Sequence, residues 1–296
     1  RGGVRKRMQL LLFDGFNGLI QGAFYALLAL GLSLIISLNS VINFAHGGFM
    51  VIGAYLAFAL VPYIGFWGAM VVGPLLTGAL GILVERFLIR YMYGRSDPVY
   101  SLLLTFGLAL IIENALRSIW GAQGLPSAIP SWLGAPVSST YFFVTGYRLF
   151  VMGAIALATG ALFVFLRYSN FGVRIRAGIL DLETVSTLGV NVYMLRSVNF
   201  AIGVLLAGFA GVLASGVLNL SPTMGNDVIM TTFVAIVVGG IGSLLGSVLG
   251  ALLIGVAAGL TSAYFPVASD VVIYVIMAVV LIVRPRGLLG QVGLFE

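Results

Sequence analysis

Along this chain apolar residues come in long runs rather than in alternation, and each run approaches the thickness of a bilayer. About 20 apolar residues at roughly 1.5 Å rise span a hydrocarbon core. Uninterrupted runs cover 10–37, 67–89, 99–120, 147–166, 196–217 and 268–283. Two further stretches, 41–61 and 228–262, are as apolar but are interrupted by glycine and polar residues. The pattern predicts an all-α, polytopic helical membrane protein of about eight hydrophobic segments, two of them glycine-broken elements able to re-enter the bilayer.

The first break reads Ile42-Asn43-Phe44-Ala45-His46-Gly47-Gly48 and holds the single histidine. Backbone exposed to lipid must satisfy its own hydrogen bonds. A polar, glycine-rich interruption at membrane depth therefore survives only when buried in protein or lining a wet cavity. The second break, Val238-Gly239-Gly240-Ile241-Gly242-Ser243, is its counterpart in the C-terminal half. Paired interruptions in two halves are where transporters commonly place their pathway. Asn43, His46, Gly47, Gly239, Gly240 and Gly242 are thus the candidate translocation-path residues. A structural role is the alternative: Asn43 can cap the half-helix beginning near Phe44, and His46 can donate to a neighbouring carbonyl.

Basic residues gather at Arg5-Lys6-Arg7, at Arg86/Arg90/Arg95, at Arg167/Arg174/Arg176/Arg196 and at Arg284/Arg286, while 121–146, 217–228 and 262–270 contain none outside their flanks. The positive-inside rule places the four clusters in the cytoplasm and the three loops outside. Spans 10–37 and 67–89 then carry the chain out and back. The intervening 38–63, roughly 39 Å as helix, is expected to enter and leave on one side. The region 228–262 can hold either a re-entrant element or two short spans. If residues 1–7 are an extension and Met8 the native start, 10–37 can run the other way.

With three prolines and several serines, 121–146 reads as an extracytoplasmic loop. The loop 167–195 mixes Arg167, Arg174, Arg176, Asp181 and Glu183 with apolar residues, a composition open to short amphipathic helices on the cytoplasmic face or to an ordinary solvated loop. Glu113 and Arg117 stand i,i+4 and can pair, Glu85 and Arg86 are expected to snorkel to water, and Asp227 and Asp270 belong at external ends, Asp227 as a cap for a helix from Val228.

Composition narrows the function classes. Hydrophobic residues make up 60% and charged residues 8%, against about 25% charged in an ordinary soluble domain. No cysteine and one histidine leave no thiolate, zinc or haem site, and the sole lysine, Lys6, is in no phosphate-binding loop. The chain is expected to be no enzyme, to carry no cofactor or metal, and to bind lipid but no nucleic acid. A secondary transporter would usually carry an ionisable coupling residue deep in a span, whereas the carboxylates here cluster near predicted ends.

Ile42 to Gly48 followed by Val51-Ile52-Gly53-Ala54-Tyr55 resembles the signature of the branched-chain amino-acid ABC importer permeases of the LivH type. The likeness continues through Glu85-Arg86, the Arg167–Asn191 loop, Val238–Gly246 and Arg284-Pro285-Arg286-Gly287-Leu288-Leu289-Gly290. It departs at Gly48, where a glutamate is common, and at Tyr91-Met92-Tyr93, where Arg-Pro is usual. The resemblance implies one permease domain over 1–296, of the ribose/branched-chain amino-acid type, in a bacterial inner membrane. It implies a LivM-like second permease, two cytoplasmic ATPase subunits that hydrolyse the ATP, and a periplasmic binding protein. It also makes Arg174 to Asn191 the segment that docks on the ATPases, with Arg174, Arg176, Ala177 and Gly189 as its coupling residues. Importers of urea or of a small carboxylate or amide share the same frame, and a secondary transporter without ATPases is the remoter alternative.

Overall fold

The computed structural model describes residues 2–94, 97–126, 129–138, 143–218 and 220–290, with side chains from residue 11 onward except at 98, 137, 138 and 143. Arg95 and the side chains of Arg5-Lys6-Arg7 lie outside the described residues. Among the described residues ten α-helices follow one another: α1 Gly2–Asn39, α2 Ala45–Phe87, α3 Pro98–Trp120, α4 Gly146–Tyr168, α5 Asn170–Leu180, α6 Leu182–Thr187, α7 Val192–Ser215, α8 Met224–Gly239, α9 Leu244–Ser262 and α10 Ser269–Val283. Among the described residues, seven helical stretches are long and apolar enough to cross a membrane, and α8 is a shorter apolar helix. The protein is a multi-pass membrane protein.

The chain divides into two compact units, one of residues 30–128 and 157–229, the other of 1–29, 129–156 and 230–296. In the first unit α2 and α7 pack extensively against each other. Small residues permit it: Gly53 lies against Gly208, and Gly211 against the backbone of Met50. In lipid such close approach substitutes dispersion and backbone contact for the hydrophobic drive available in water.

Helix α2 is a hairpin. Gly65 alone leaves helical geometry, at φ 69° and ψ 174°, a region a side chain rarely tolerates. The legs fold back on each other there, so that Ala57 and Ala69 share a buried cluster with Val212. Asn39 meets the carbonyl of Arg196 near the start of α7, whereas Ala57 packs near its end. The stretch 45–64 therefore runs from the arginine-rich end toward the opposite end, and the expected re-entry of 38–63 on one side does not occur. Tyr63 and Trp67, both exposed, flank the turn, as aromatic residues do at a bilayer interface.

The direction of α1 corrects the charge count. Its last residue, Asn39, sits beside Arg196, so its first turns lie at the other end of the same helix. In the second unit Arg148 donates to Asn17 at 2.6 Å, and Gly259 abuts Asp14 and Gly18. The start of α1 thus keeps company with the start of α4 and the end of α9, both next to loops free of basic residues. The helix runs opposite to the sense inferred from Arg5-Lys6-Arg7.

The region 228–262 forms two helices, α8 and α9, joined through Gly240–Ser243. Ser243 caps α9 by accepting from the Gly246 amide at 3.0 Å. After α10 the chain returns as a strap: the Leu288 and Leu289 amides donate to the Val238 and Gly239 carbonyls, each at 2.9 Å. These bonds answer carbonyls that a helix end leaves open. A two-stranded antiparallel hairpin, β1 Pro136–Ser138 with β2 Phe143–Thr145, lies in the loop before α4.

Candidate functional site

Helix α1 ends at Asn39, and Ser40 turns the chain at φ 54°. Residues 40–43 are not helical, and α2 begins with Phe44 as N-cap. Thr105 of α3 holds this interruption. Its hydroxyl accepts from the Phe44 amide at 3.1 Å and shares its proton between the carbonyls of Ile42, at 3.0 Å, and Ser101, at 2.9 Å. Thr105 stands two helical turns into α3 and is fully buried, so the break lies inside the protein, as irregular backbone at membrane depth requires.

Asn43 and His46 are both fully buried. Asn43 does not cap α2 with its side chain; its carbonyl instead accepts from the His46 amide at 3.3 Å. Neither atom of the Asn43 side-chain amide has a hydrogen-bond partner among the described residues. A buried amide left in that state costs about 1–3 kcal/mol. His46 packs against α1 where Gly31 leaves space: a methyl there would lie 3.1 Å from Cε1 and Nε2 of the imidazole.

Gly47 brings the start of α8 to the break, its backbone lying against Gly225. One residue on, Asn226 donates to Glu113 at 2.8 Å, and Glu113 also holds Arg117 at 2.7 Å. The i,i+4 pair is thus present, extended by a third residue from α8. Helix α8 starts earlier than expected, so Asp227 lies within its first turn rather than at the cap. Asp270 occupies the first turn of α10, away from Arg284.

Gly239, Gly240 and Gly242 form the α8–α9 turn under the strap. Gly240, at φ 103°, faces Gly287 and Gly290 so closely that a side chain has no room. In this position the glycines serve backbone contact.

The loop 167–195 forms the two short helices α5 and α6. Three side chains start them and α7: Ser169 accepts from the Gly172 amide at 2.9 Å, Asp181 from Thr184 at 3.0 Å, and Asn191 from Met194 at 3.0 Å. Those hydrogen bonds from Thr184, with its hydroxyl first, hold the Asp181 carboxyl below its ordinary range. Ile175, Gly178 and Val185 face inward, while Arg174 and Arg176 are exposed and Ala177 is half-buried. Gly189 turns between α6 and α7 at φ 83°. Leu180 and Leu188 point outward at 81% and 77% exposure, an apolar surface on a charged element.

The sequence reading missed a polar cluster at the arginine-rich end. Glu85 was expected to snorkel, but it is fully buried. Its carboxylate accepts from Ser197 at 2.5 Å, from Tyr93 at 3.0 Å and from Arg90 at 3.3 Å. Asn39 donates to the Tyr93 hydroxyl at 2.6 Å, and Asn199 donates to Asn39 at 2.8 Å. The Arg196 guanidinium lies 4.3 Å from the Tyr93 ring centre. Arg90 and Tyr93, five and eight residues after Glu85, are its local members; Ser197 comes from a distant helix.

Comparison with known proteins places this architecture. A high-affinity branched-chain amino acid permease, LivH of Salmonella typhimurium, is 32% identical over 93% of this chain and 94% of its own length. BraD of Pseudomonas aeruginosa is 31% identical over 93% and 94%. A probable branched-chain amino acid transport permease of Methanocaldococcus jannaschii is 27% identical over 96% of each chain. A solved chain of PsaBC from Streptococcus pneumoniae in complex with Fab aligns over 90% of this chain and 89% of its own at a TM-score of 0.47 and 14% identity, too loosely to add to the assignment. The family model for the permease component of the branched-chain amino acid transport system matches residues 15–281, which spans the Asn43 break, the α5–α6 segment and the α8–α9 turn, and the chain belongs to that family.

Proposed function

We propose that this chain is one permease subunit of an ATP-driven importer of branched-chain or other hydrophobic amino acids, set in a bacterial inner membrane. It would form the path with a second, LivM-like permease, above two cytoplasmic ATPase subunits and below a periplasmic binding protein. The observation that carries the reading is the Ser40–Phe44 break, with an unsatisfied Asn43 amide fully buried at its centre. An amide held there without a partner is ready to exchange hydrogen bonds with something that passes. Asn43, His46 and Gly47, with Gly239, Gly240 and Gly242 of the second interruption, are the proposed path residues. A conduit should bind its cargo weakly, because a deep site would trap what must be released; selectivity then rests mainly with the binding protein.

Arg174, Arg176, Ala177 and Gly189 would couple the chain to its ATPases. The exposed Leu180 and Leu188, which follow the exposed Arg174 and Arg176, support a docking role, since apolar residues displayed on a charged surface element suit a partner interface. The decisive experiment is co-expression with its partner subunits and uptake of labelled leucine into proteoliposomes loaded with ATP. Leucine uptake that needs both the binding protein and ATP supports the proposal. Uptake driven by an ion gradient with the ATPases absent would overturn it.

A further inference from the structure

Between the α5–α6 segment and the Ser40–Phe44 break lies the Glu85 cluster, and each of its strands of contact starts next to one of them. Asn191 caps α7, whose first turns supply Tyr193, Arg196 and Ser197. Ser197 donates to Glu85, and Arg90, which also reaches Ser197 at 2.9 Å, lies over the Tyr193 ring at 5.4 Å. Tyr93 donates to Glu85 and accepts from Asn39, the last residue before the break. Asn39 in turn reaches the Arg196 carbonyl at 3.1 Å and accepts from Asn199, which is anchored on the Leu34 carbonyl at 2.8 Å. Helix α5 touches the same end of α1 independently: a methyl on Gly178 would lie 2.8 Å from Leu38.

We propose that Glu85, Tyr93 and Asn39 are positioning residues of a latch that transmits displacement of the α5–α6 segment, through the first turn of α7, to the Ser40–Phe44 break. The inference rests on the reading of that segment as the ATPase-coupling element. A fully buried carboxylate is a poor way merely to hold helices together, because apolar residues of similar size do so without its desolvation. What a carboxylate with three donors offers is direction: each bond fails at a small change in angle, so the cluster is made or broken as a unit. Burial and the neighbouring Glu85 charge push the Tyr93 phenol upward, which keeps its proton available for Glu85. The last turn of α1 cannot tilt without breaking Asn39 from both Tyr93 and Arg196. Movement of the first turn of α7 removes Ser197 and the Arg196 carbonyl together.

The test uses the complete importer reconstituted in proteoliposomes, with Tyr93→Phe, Glu85→Gln and Glu85→Ala. Leucine uptake and ATP hydrolysis are measured on the same preparation. Tyr93→Phe removes one hydroxyl and no charge. Its complex should hydrolyse ATP within about twofold of the parent while moving at least fivefold less leucine per ATP. Glu85→Gln, which keeps one acceptor oxygen for either Ser197 or Tyr93, should recover part of the ratio that Glu85→Ala loses. A ratio unchanged in Tyr93→Phe, or uptake and hydrolysis falling in equal proportion, overturns the latch. Absence of ATP-dependent uptake in the parent complex would instead strike the functional reading, so the two failures are separable.

Discussion

Gly47 and Gly225 meet backbone to backbone, so that a methyl on either would strike the carbonyl of the other. The contact ties the start of α8 to the first turn of α2, just past the break. Overpacked helix contacts cost about 1–3 kcal/mol when side chains can yield, and these atoms are backbone. Gly225→Ala should lower the thermal midpoint of the assembled complex and reduce uptake several-fold. Gly225→Val should abolish uptake or assembly. Fluorescence-detected size-exclusion melting with a leucine uptake assay checks both, and a Gly225→Val complex of unchanged stability would mean the contact is not close.

The hairpin at Gly65 makes a topological prediction. The sequence contains no cysteine, so single substitutions report cleanly. Tyr63 and Tyr91 are 85% and 69% exposed, on either side of the second leg of α2. Tyr63→Cys should react with an impermeant maleimide added outside, and Tyr91→Cys only after permeabilisation. Labelling of both from one side would mean that the second leg of α2 does not cross the bilayer.

Much of this architecture is legible in the amino-acid order. Every long helix coincides with an apolar run, and the Asn43 break, the α5–α6 segment and the Glu113–Arg117 pair lie where local spacing puts them. What fails has physical causes. The basic run at 5–7 outweighs everything else in a charge count, yet the hydrogen bonds of Asn17 and Asn39 decide the direction of α1. One residue, Gly65, reverses a chain of apolar residues, and no turn signal of ordinary length marks it. Glu85 looked solvated because its arginine neighbour is visible in sequence, whereas Ser197 reaches it from a distant helix through tertiary packing. The residues that form the Asn43 break are readable; the polar cluster behind it is not.

Asp181 offers a pH test outside the bilayer. Its carboxyl lies below the ordinary range because the charged form accepts from Thr184. A depressed folded value means that the cap's contribution is complete above the unfolded value and is lost as pH falls through the folded one. Amide exchange in residues 182–188 should therefore stay slow at neutral pH and quicken only in acid. Asp181→Asn should remove most of that acid dependence, while Asp181→Ala should quicken exchange at neutral pH. Hydrogen-exchange mass spectrometry reads both.

His46 is buried beside Gly31, with no room for a larger neighbour. Glutamine supplies a donor and an acceptor in about the same space, and leucine neither. His46→Gln should keep at least half of leucine uptake and His46→Leu less than a tenth. Equal activity of the two would make the imidazole a space-filler, and equal loss would point to direct contact with cargo.

Gly240 combines a left-handed backbone with direct contact to Gly287 and Gly290. A side chain in that conformation costs of order 1–3 kcal/mol before any collision. Gly240→Ala should lower the melting midpoint more than Gly189→Ala, which shares a positive φ but has open space around it. Equal shifts would show that only the backbone angle matters at Gly240.

The strap has a consequence in time as well as space. A nascent chain leaves the ribosome from its N-terminus, so the α8–α9 turn is made while its future partners, the amides of Leu288 and Leu289, do not yet exist. Until α10 has been threaded into the membrane, the Val238 and Gly239 carbonyls must be served by water or by the insertion machinery. The joint between α8 and α9 is therefore sealed by residues translated well after it, which makes late biogenesis, rather than initial insertion, the stage at which lesions in 284–290 should be felt.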